Sequence, residues 1–507
     1  MSSAPPIELR TPRQPLLKRV VSFPVLLGVL LVAPLCLALR DLVVDPDVWW
    51  HLRVGQDILA THHWPSADSY SFTAPGAPWI AYEWLGETLL AAVRSAWGFQ
   101  GLFALEAAVG AAVLVALYVL ATLRSRNSKA AFVSCTLLLS LVAFSFTLRP
   151  QIFGYFFLVL TLIILELFCQ GRTAVLWLLP PLFLVWVNTH GSFVIGLFAF
   201  AVFALSGLVE VRREGLESRR WTPGERLRLG GAFLASLAAL AITPYGTKLA
   251  AYPINMTFSL PVAVAAVGEW RSMPFDLVVG KVFLLLVLGC LLAQIALRFT
   301  WRLAEVILFF AGALAALVHA RFLLIFVPFC APLLAVILGR WFSPYQPGKD
   351  KHALDVLLMV AVLAVMIRFF PSRKHLERCI AQDWPVEAVR YIEQHHTPGP
   401  LYNAYYYGGY LDYALAGRSK VFIDGRADVY ERTGVLADYL SIERVAPSAL
   451  ALLRLYNVQS CLLERSEPLA TLLAASSEWQ PAFADETSAL FVRAQSGEPK
   501  IEGQKSQ

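Results

Sequence analysis

Charged residues are scarce in this chain. Asp, Glu, Lys and Arg make up 15% of its 507 residues, against 57% hydrophobic residues. A soluble protein carries about a quarter charged residues. This shortage, with a mean hydropathy of +0.60, excludes an ordinary soluble globule and indicates a polytopic membrane protein. The net charge of +6 is no nucleic-acid signal, because no basic run marks one face of a soluble domain. The basic residues sit in short loops between apolar runs, where they set topology. No CxxC motif or His/Cys cluster occurs, which excludes the common zinc modules. No internal repeat is visible. No small-residue cleavage site follows the first apolar run, Val20 to Leu39, so it reads as a retained transmembrane helix. Of the seven cysteines, Cys36, Cys135, Cys169, Cys290 and Cys330 lie in apolar runs, where Cys acts as a small hydrophobe. Cys379 and Cys461 fall in the polar C-terminal part, where they either pair or stay two free thiols.

A spanning helix needs about 20 mainly apolar residues. About eleven segments qualify, near 20–39, 101–122, 130–148, 151–169, 173–190, 192–211, 228–244, 280–298, 302–319, 322–339 and 353–370. Arg10, Arg13, Lys18 and Arg19 precede the first, and Arg124, Arg126 and Lys129 follow the second. Arg212, Arg213, Arg219, Arg220, Arg226 and Arg228 cluster after the sixth, Arg298 and Arg302 bracket a later turn, and Arg340, Lys349 and Lys351 another. These loops alternate as cytoplasmic segments do, which places the N-terminus inside and the C-terminus outside. The opposite loops are fewer and longer, and the first of them, 41–100, is acidic. The expected organisation is a cytoplasmic, disordered N-terminus (1–19), a transmembrane domain (20–370), an extracytoplasmic α/β domain (371–494) and a disordered tail (495–507). In the α/β domain, "PVEAVRYIEQHH" has a helical period, and "GPLYNAYYYGGYLDYAL" and "SKVFIDGRADVY" carry strand and turn signals.

The first outer loop opens with "DPDVWWHLRVGQDILATHHW". Pro46 holds Asp45 extended, and Asp47 can cap a helix starting at Val48. Trp49 and Trp50 suit a membrane interface. Capping accounts for Asp47 and leaves Asp45 in need of another partner. Further on, Glu83 and Glu87 lie one helical turn apart. They are either solvated or turned inward to join Asp45 and Asp47 in an acidic cavity.

The loop resembles that of the GT-C superfamily of integral-membrane glycosyltransferases. Protein O-mannosyltransferases, the catalytic subunit of oligosaccharyltransferase and lipid A aminoarabinose transferase belong to it. Their shared layout is a short acidic motif in the first outer loop, juxtamembrane helices after it, and an outer soluble domain at the chain's end. "DPDVWWHL" falls where that motif belongs. "DPDVWWHLRVGQ", "THGSF" and "VFIDGRADVY" resemble bacterial proteins described as membrane glycosyltransferases. The resemblance implies a GT-C-like helical fold in the bacterial cytoplasmic membrane, with the active site outside, and inversion at the sugar by single displacement.

Ionisable residues at the ends of spans are costly and are functional candidates by default. Arg149, His190, His319, Arg321, Glu269 and Arg271 all fall on the predicted outer side, as does the amide of Asn188. Cations there run against the positive-inside bias, so each needs an acidic partner or an anionic ligand. Arginine's planar fork suits phosphate oxygens, and histidine adds a donor. Arg149 and Arg321 are therefore the leading candidates to hold the phosphate of a polyprenyl-phosphate sugar donor, followed by His190 and His319. Asp45 is the candidate base, or the group that activates the acceptor, and Asp47 stands second. His51, Glu83, Glu269, Asp424 and Arg426 are candidate substrate contacts. Asp424 and Arg426 have a second reading, as an internal pair that fixes their loop. The residues fix no cofactor: the family is split on metal use, and Asp45 and Asp47 can serve as hard oxygen ligands for Mg²⁺ or Mn²⁺. The expected partners are the lipid-linked donor, an extracytoplasmic acceptor and the bilayer, with no nucleic acid.

Three other readings compete. A secondary transporter predicts repeats, interrupted helices and a charged site at mid-membrane, whereas these charges gather at one face. A non-catalytic assembly component leaves the outer cations unexplained. A glycan polymerase or ligase would use the same kind of donor. The topology has a direct test: a reporter fused after Pro371 is expected to be active only outside the cell membrane, and cytoplasmic activity would break it.

Overall fold

Helix breakers and caps cut the apolar sequence into rods. Arg126 and Arg298 adopt left-handed backbone (φ 57° and 48°) and end their helices. Asn127 starts the next one, its side chain accepting from the N–H groups of Lys129 and Ala130. Thr222 and Glu225 form a reciprocal capping box ahead of another. The computed structural model describes residues 15–39, 45–259, 261–262 and 268–494. Segments 1–14 and 495–507, which hold most of the expected disorder, lie outside the described residues.

Each apolar segment expected to span contains a helix. Trp84–Ser125, Gln151–Cys169, Val278–Leu297 and Ala320–Leu338 are long and apolar enough to cross a membrane. Phe23–Ala38, Ser128–Val142, Thr173–Thr189, Phe193–Ser206 and Leu303–Val318 are apolar but shorter, at 10–17 residues. The Pro223–Ala239 helix, with Glu225, Arg226 and Arg228 in its first turns, meets neither standard. The last expected span, His352–Arg368, bends by 56° into Arg373–Asp383. Length and composition alone therefore give fewer full spans than the sequence pattern implied.

The Trp84–Ser125 helix shows where loop becomes span. It runs for 42 residues but breaks at Gly98, whose φ of 66° suits glycine. The part before the break belongs to the first loop, and the part after it is the second apolar segment. Two ion pairs tie the opposite ends of the rods: Arg124 with Glu305, and Arg302 with Glu166.

The C-terminal region carries a four-stranded sheet of β1 (Leu401–Asn403), β2 (Ser460–Glu464), β3 (Trp479–Ala484) and β4 (Ser488–Arg493), in the order β1-β2-β4-β3. Strands β1 and β2 are parallel, and the other pairings are antiparallel. Two strand expectations are corrected. "GGYLDYA" is a helix, Gly408–Ala414, and "ADVYER" is another, Ala427–Arg432. Of the expected second strand only Val421 makes a bridge, and its partner is Ser71 of the first loop. The alternation in these segments comes from packing on two sides rather than from a sheet. Cys379 and Cys461 are both free thiols.

This region is no detached domain. Trp50, Val54, Ile58 and Trp79 of the first loop share one buried cluster with Tyr402, Phe422, Ile423 and Tyr430. The approach is close at Gly425, where an added Cβ would lie 2.1 Å from Asp47 Oδ1 and 2.7 Å from Trp50 Nε1. Neither neighbour can yield, because Asp47 and Trp50 are bonded to each other and packed. Gly425→Val is therefore expected to destabilise the protein by about 1–3 kcal/mol through overpacking. A lowered melting temperature in detergent would show it; an unchanged one would mean the two regions are not tightly docked.

Candidate active site

The DPD helix, Pro46–Thr61, starts differently from the expectation. Asp45 is the capping residue, and its Oδ1 accepts from the Asp47 N–H at 3.0 Å. Pro46 occupies the first helical position, where no N–H is needed. Asp47 lies inside the first turn and accepts from Trp50 Nε1 at 3.2 Å. The capping role thus belongs to Asp45 and not to Asp47, because Pro46 begins the helix two residues earlier than the apolar pattern does.

Arg149 stands between the two carboxylates. Its Nε lies 2.6 Å from Asp45 Oδ1, and its Nη1 lies 3.1 Å from Asp47 Oδ2. The acidic loop is therefore the cation's partner. Asp45 has only 7% of its side chain exposed and Asp47 has 22%, so Asp47 is the more open carboxylate. Mg²⁺ or Mn²⁺ held by Asp45 and Asp47 does not fit this arrangement. The guanidinium already supplies the positive charge between them.

Next to this group runs a chain of alternating acid and imidazole. His51 Nδ1 lies 3.1 Å from Glu87 Oε1, and His51 Nε2 lies 3.4 Å from Glu83 Oε2. Glu83 Oε1 lies 3.1 Å from His190 Nε2. The Ser192 N–H donates to His190 Nδ1 at 3.0 Å, which leaves Nε2 to donate to Glu83. Helical spacing brings these groups together. His51 sits one turn after Asp47, while Glu83 and Glu87 share one face where the long helix starts. Burial pushes the Glu83 carboxyl up to about 8, with Asp47 adding to the shift and Arg149 and Arg321 opposing it. Burial likewise lowers His51, with Arg149 adding to it. Both arginines thus act on the acid–imidazole chain, and all these residues share one electrostatic environment.

Arg321 lies over the Trp270 ring at 4.1 Å and reaches Gln151 Oε1 at 3.5 Å. Among the described residues no carboxylate pairs with it. His319 is expected to reach the donor phosphate, but its Nδ1 bonds to the Trp270 carbonyl and its ring packs on Trp270 and Phe322. That contact holds the ring against Trp270, so His319 supports the arginine's platform. Glu269 falls in the short turn Gly268–Trp270, and its side chain lies outside the described residues. Asn188 is used up structurally, accepting from Trp84 Nε1 and donating to two carbonyls.

Asp424 and Arg426 are not open to substrate. Arg426 is 2% exposed and Asp424 is 0% exposed. The guanidinium binds both Asp424 oxygens and Asp68 Oδ1, the last at 2.7 Å, and lies between the rings of Tyr70 and Trp79. The internal-pair reading holds for them, and the pair also ties the first loop to the C-terminal region. Glu87 is the residue the sequence reading did not assign. Its spacing from Glu83 was the available signal, but nothing local showed which side faces inward.

Fold and site together define a helical protein of membrane type, with apolar helices around a buried ionisable cluster and a small C-terminal sheet. The particular structure it is similar to is the oligosaccharyltransferase of the archaeon Archaeoglobus fulgidus, solved tethered to an acceptor peptide containing the NVT sequon. The two share 14% identity at a TM-score of 0.50, over 88% of this chain and 70% of that one. The oligosaccharyltransferase AglB of the same organism, in complex with an inhibitory peptide and a dolichol-phosphate, aligns over 94% of this chain and 74% of its own at 13% identity and a TM-score of 0.49. At such identities the likeness is one of fold. No family model matches the sequence, and the search of curated proteins found no match.

Removing Arg426 leaves Asp68 and Asp424 buried without their cation. Arg426→Leu is expected to cost roughly 3–5 kcal/mol of stability. Unfolding followed by tryptophan fluorescence in detergent would read this; a near-neutral result would mean the pair is solvated.

Proposed function

We propose that the chain is a glycosyltransferase that moves a sugar from a polyprenyl-phosphate donor to an acceptor outside the bacterial cytoplasmic membrane. The observation that carries this is the cluster of Asp45, Asp47 and Arg149 beside Arg321 and His190, in a chain with the GT-C fold. Asp47, the more exposed carboxylate, takes the acceptor's proton as general base. Asp45 and Arg149 hold Asp47 in place. The freed acceptor oxygen attacks the anomeric carbon, the bond from that carbon to the phosphate oxygen breaks, and the polyprenyl phosphate leaves with the electron pair. Arg321, which pairs with no carboxylate among the described residues, stabilises the charge on that phosphate, and His190 is the second contact.

The experiment compares lipid-linked sugars and extracytoplasmic glycans in cells lacking the gene, complemented at equal expression with wild type or variants. Asp47→Asn is expected to lower transfer by about 10²–10⁴-fold. Asp45→Asn keeps a capping side chain but loses the charge that orients Arg149, and so is expected to lower transfer less. Arg321→Ala is expected to leave donor unused in the membrane. Unchanged glycans on deletion, or full transfer by Asp47→Asn and Arg321→Ala, would overturn the proposal.

A further inference from the structure

The acid–imidazole chain buries two carboxyl groups side by side with one imidazole between them. The side chains of His51, Glu83 and Glu87 are 3%, 7% and 1% exposed. No lysine or arginine pairs with either glutamate among the described residues. Glu87 Oε2 is buried and has no hydrogen-bond partner. Two carboxylates withdrawn from water beside each other are strongly unfavourable unless opposite charge joins them. Each of the three residues offers one ligand atom, and these atoms lie within 4.8 Å of one another.

We propose that His51, Glu83 and Glu87 bind one divalent transition-metal cation. A cation of charge +2 balances both carboxylates and gives the orphaned Glu87 oxygen a partner. One imidazole with two carboxylates is a donor set for Zn²⁺, Mn²⁺ or Fe²⁺ rather than for Ca²⁺, which takes oxygen ligands. Each ring nitrogen of His51 faces one glutamate, so binding replaces one of those two contacts. The outer groups are in place. His190 Nε2 lies 3.1 Å from Glu83 Oε1, and the Trp50 ring lies against His51 with centroids 3.6 Å apart. Such partners fix the orientation of metal ligands. The site is distinct from Asp45 and Asp47, whose charge Arg149 already balances, and it is independent of which sugar or acceptor the protein uses.

The test measures metal content on the full-length protein purified in detergent, so it needs no donor or acceptor and cannot fail merely because the glycosyltransferase reading fails. After exposure to Zn²⁺ or Mn²⁺ and washing, wild type is expected to retain about one equivalent by elemental mass spectrometry. Glu87→Gln, which keeps the side chain's size, and His51→Ala are each expected to weaken binding at least about tenfold. A chelator is expected to lower the melting temperature of wild type but not of Glu87→Gln. Asp355→Asn, at the separate Asp350–His352–Asp355 group, is expected to keep the metal. No retained metal in folded wild type would overturn the proposal and leave the cluster as a chain of shared protons. Equal retention by Glu87→Gln and His51→Ala, or loss only in Asp355→Asn, would overturn it as well.

Discussion

A carboxylate withdrawn from water must find a positive partner, and Arg149 is that partner for both Asp45 and Asp47. Much else in the structure follows from this contact. It joins the start of the DPD helix to the turn before Gln151–Cys169, and so joins loop to membrane helices. It leaves Asp47 close enough to Glu83 to add to that carboxyl's upward shift. Its guanidinium also balances the charge of both aspartates. The same rule acts a second time at Arg426, which binds Asp68 and Asp424 and locks the first loop against the C-terminal region. Pairs so far removed from solvent contribute little net stability, yet breaking either one leaves an uncompensated charge.

Aromatic packing gives these pairs a dry setting. Trp49 contacts Phe99, Trp384, Tyr410 and Tyr413, which bridges the DPD helix, the break in the long helix and the C-terminal region. Trp50 faces the other way, over His51 and towards Trp79. The tryptophan pair that fits a membrane interface is therefore largely buried in protein, at 1% and 4% exposure. The low-dielectric surroundings that such walls create strengthen each charge interaction within the site.

The rods were legible because hydropathy is a local property. The break near residue 98 matched the expected edge of the first loop, since a glycine there punctuates an otherwise continuous pattern. The pairing of Asp424 with Arg426 was legible too, because only one residue separates them. The cap assignment failed at one step: apolar residues begin at Val48, but proline starts a helix without needing an N–H donor, so Asp45 took the cap. The strands expected around "GGYLDYAL" and "FIDGRADVY" failed because burial on two sides mimics strand alternation. Helices form there instead, and the first of them, Gly408–Ala414, is pressed against the DPD helix.

By itself the sequence determined that this chain folds as apolar helices around a polar first loop, and which few ionisable residues stand at their ends. Runs of hydrophobic side chains and the cost of charge in lipid leave little choice in either. Only the tertiary structure decided the partners. Arg149 is over a hundred residues from Asp45, and His190 is similarly far from Glu83. Coulombic attraction depends on distance in space, which hydropathy along the chain does not carry. That Arg149 pairs with Asp45 and Asp47 while Arg321 stacks on Trp270 was therefore settled by packing.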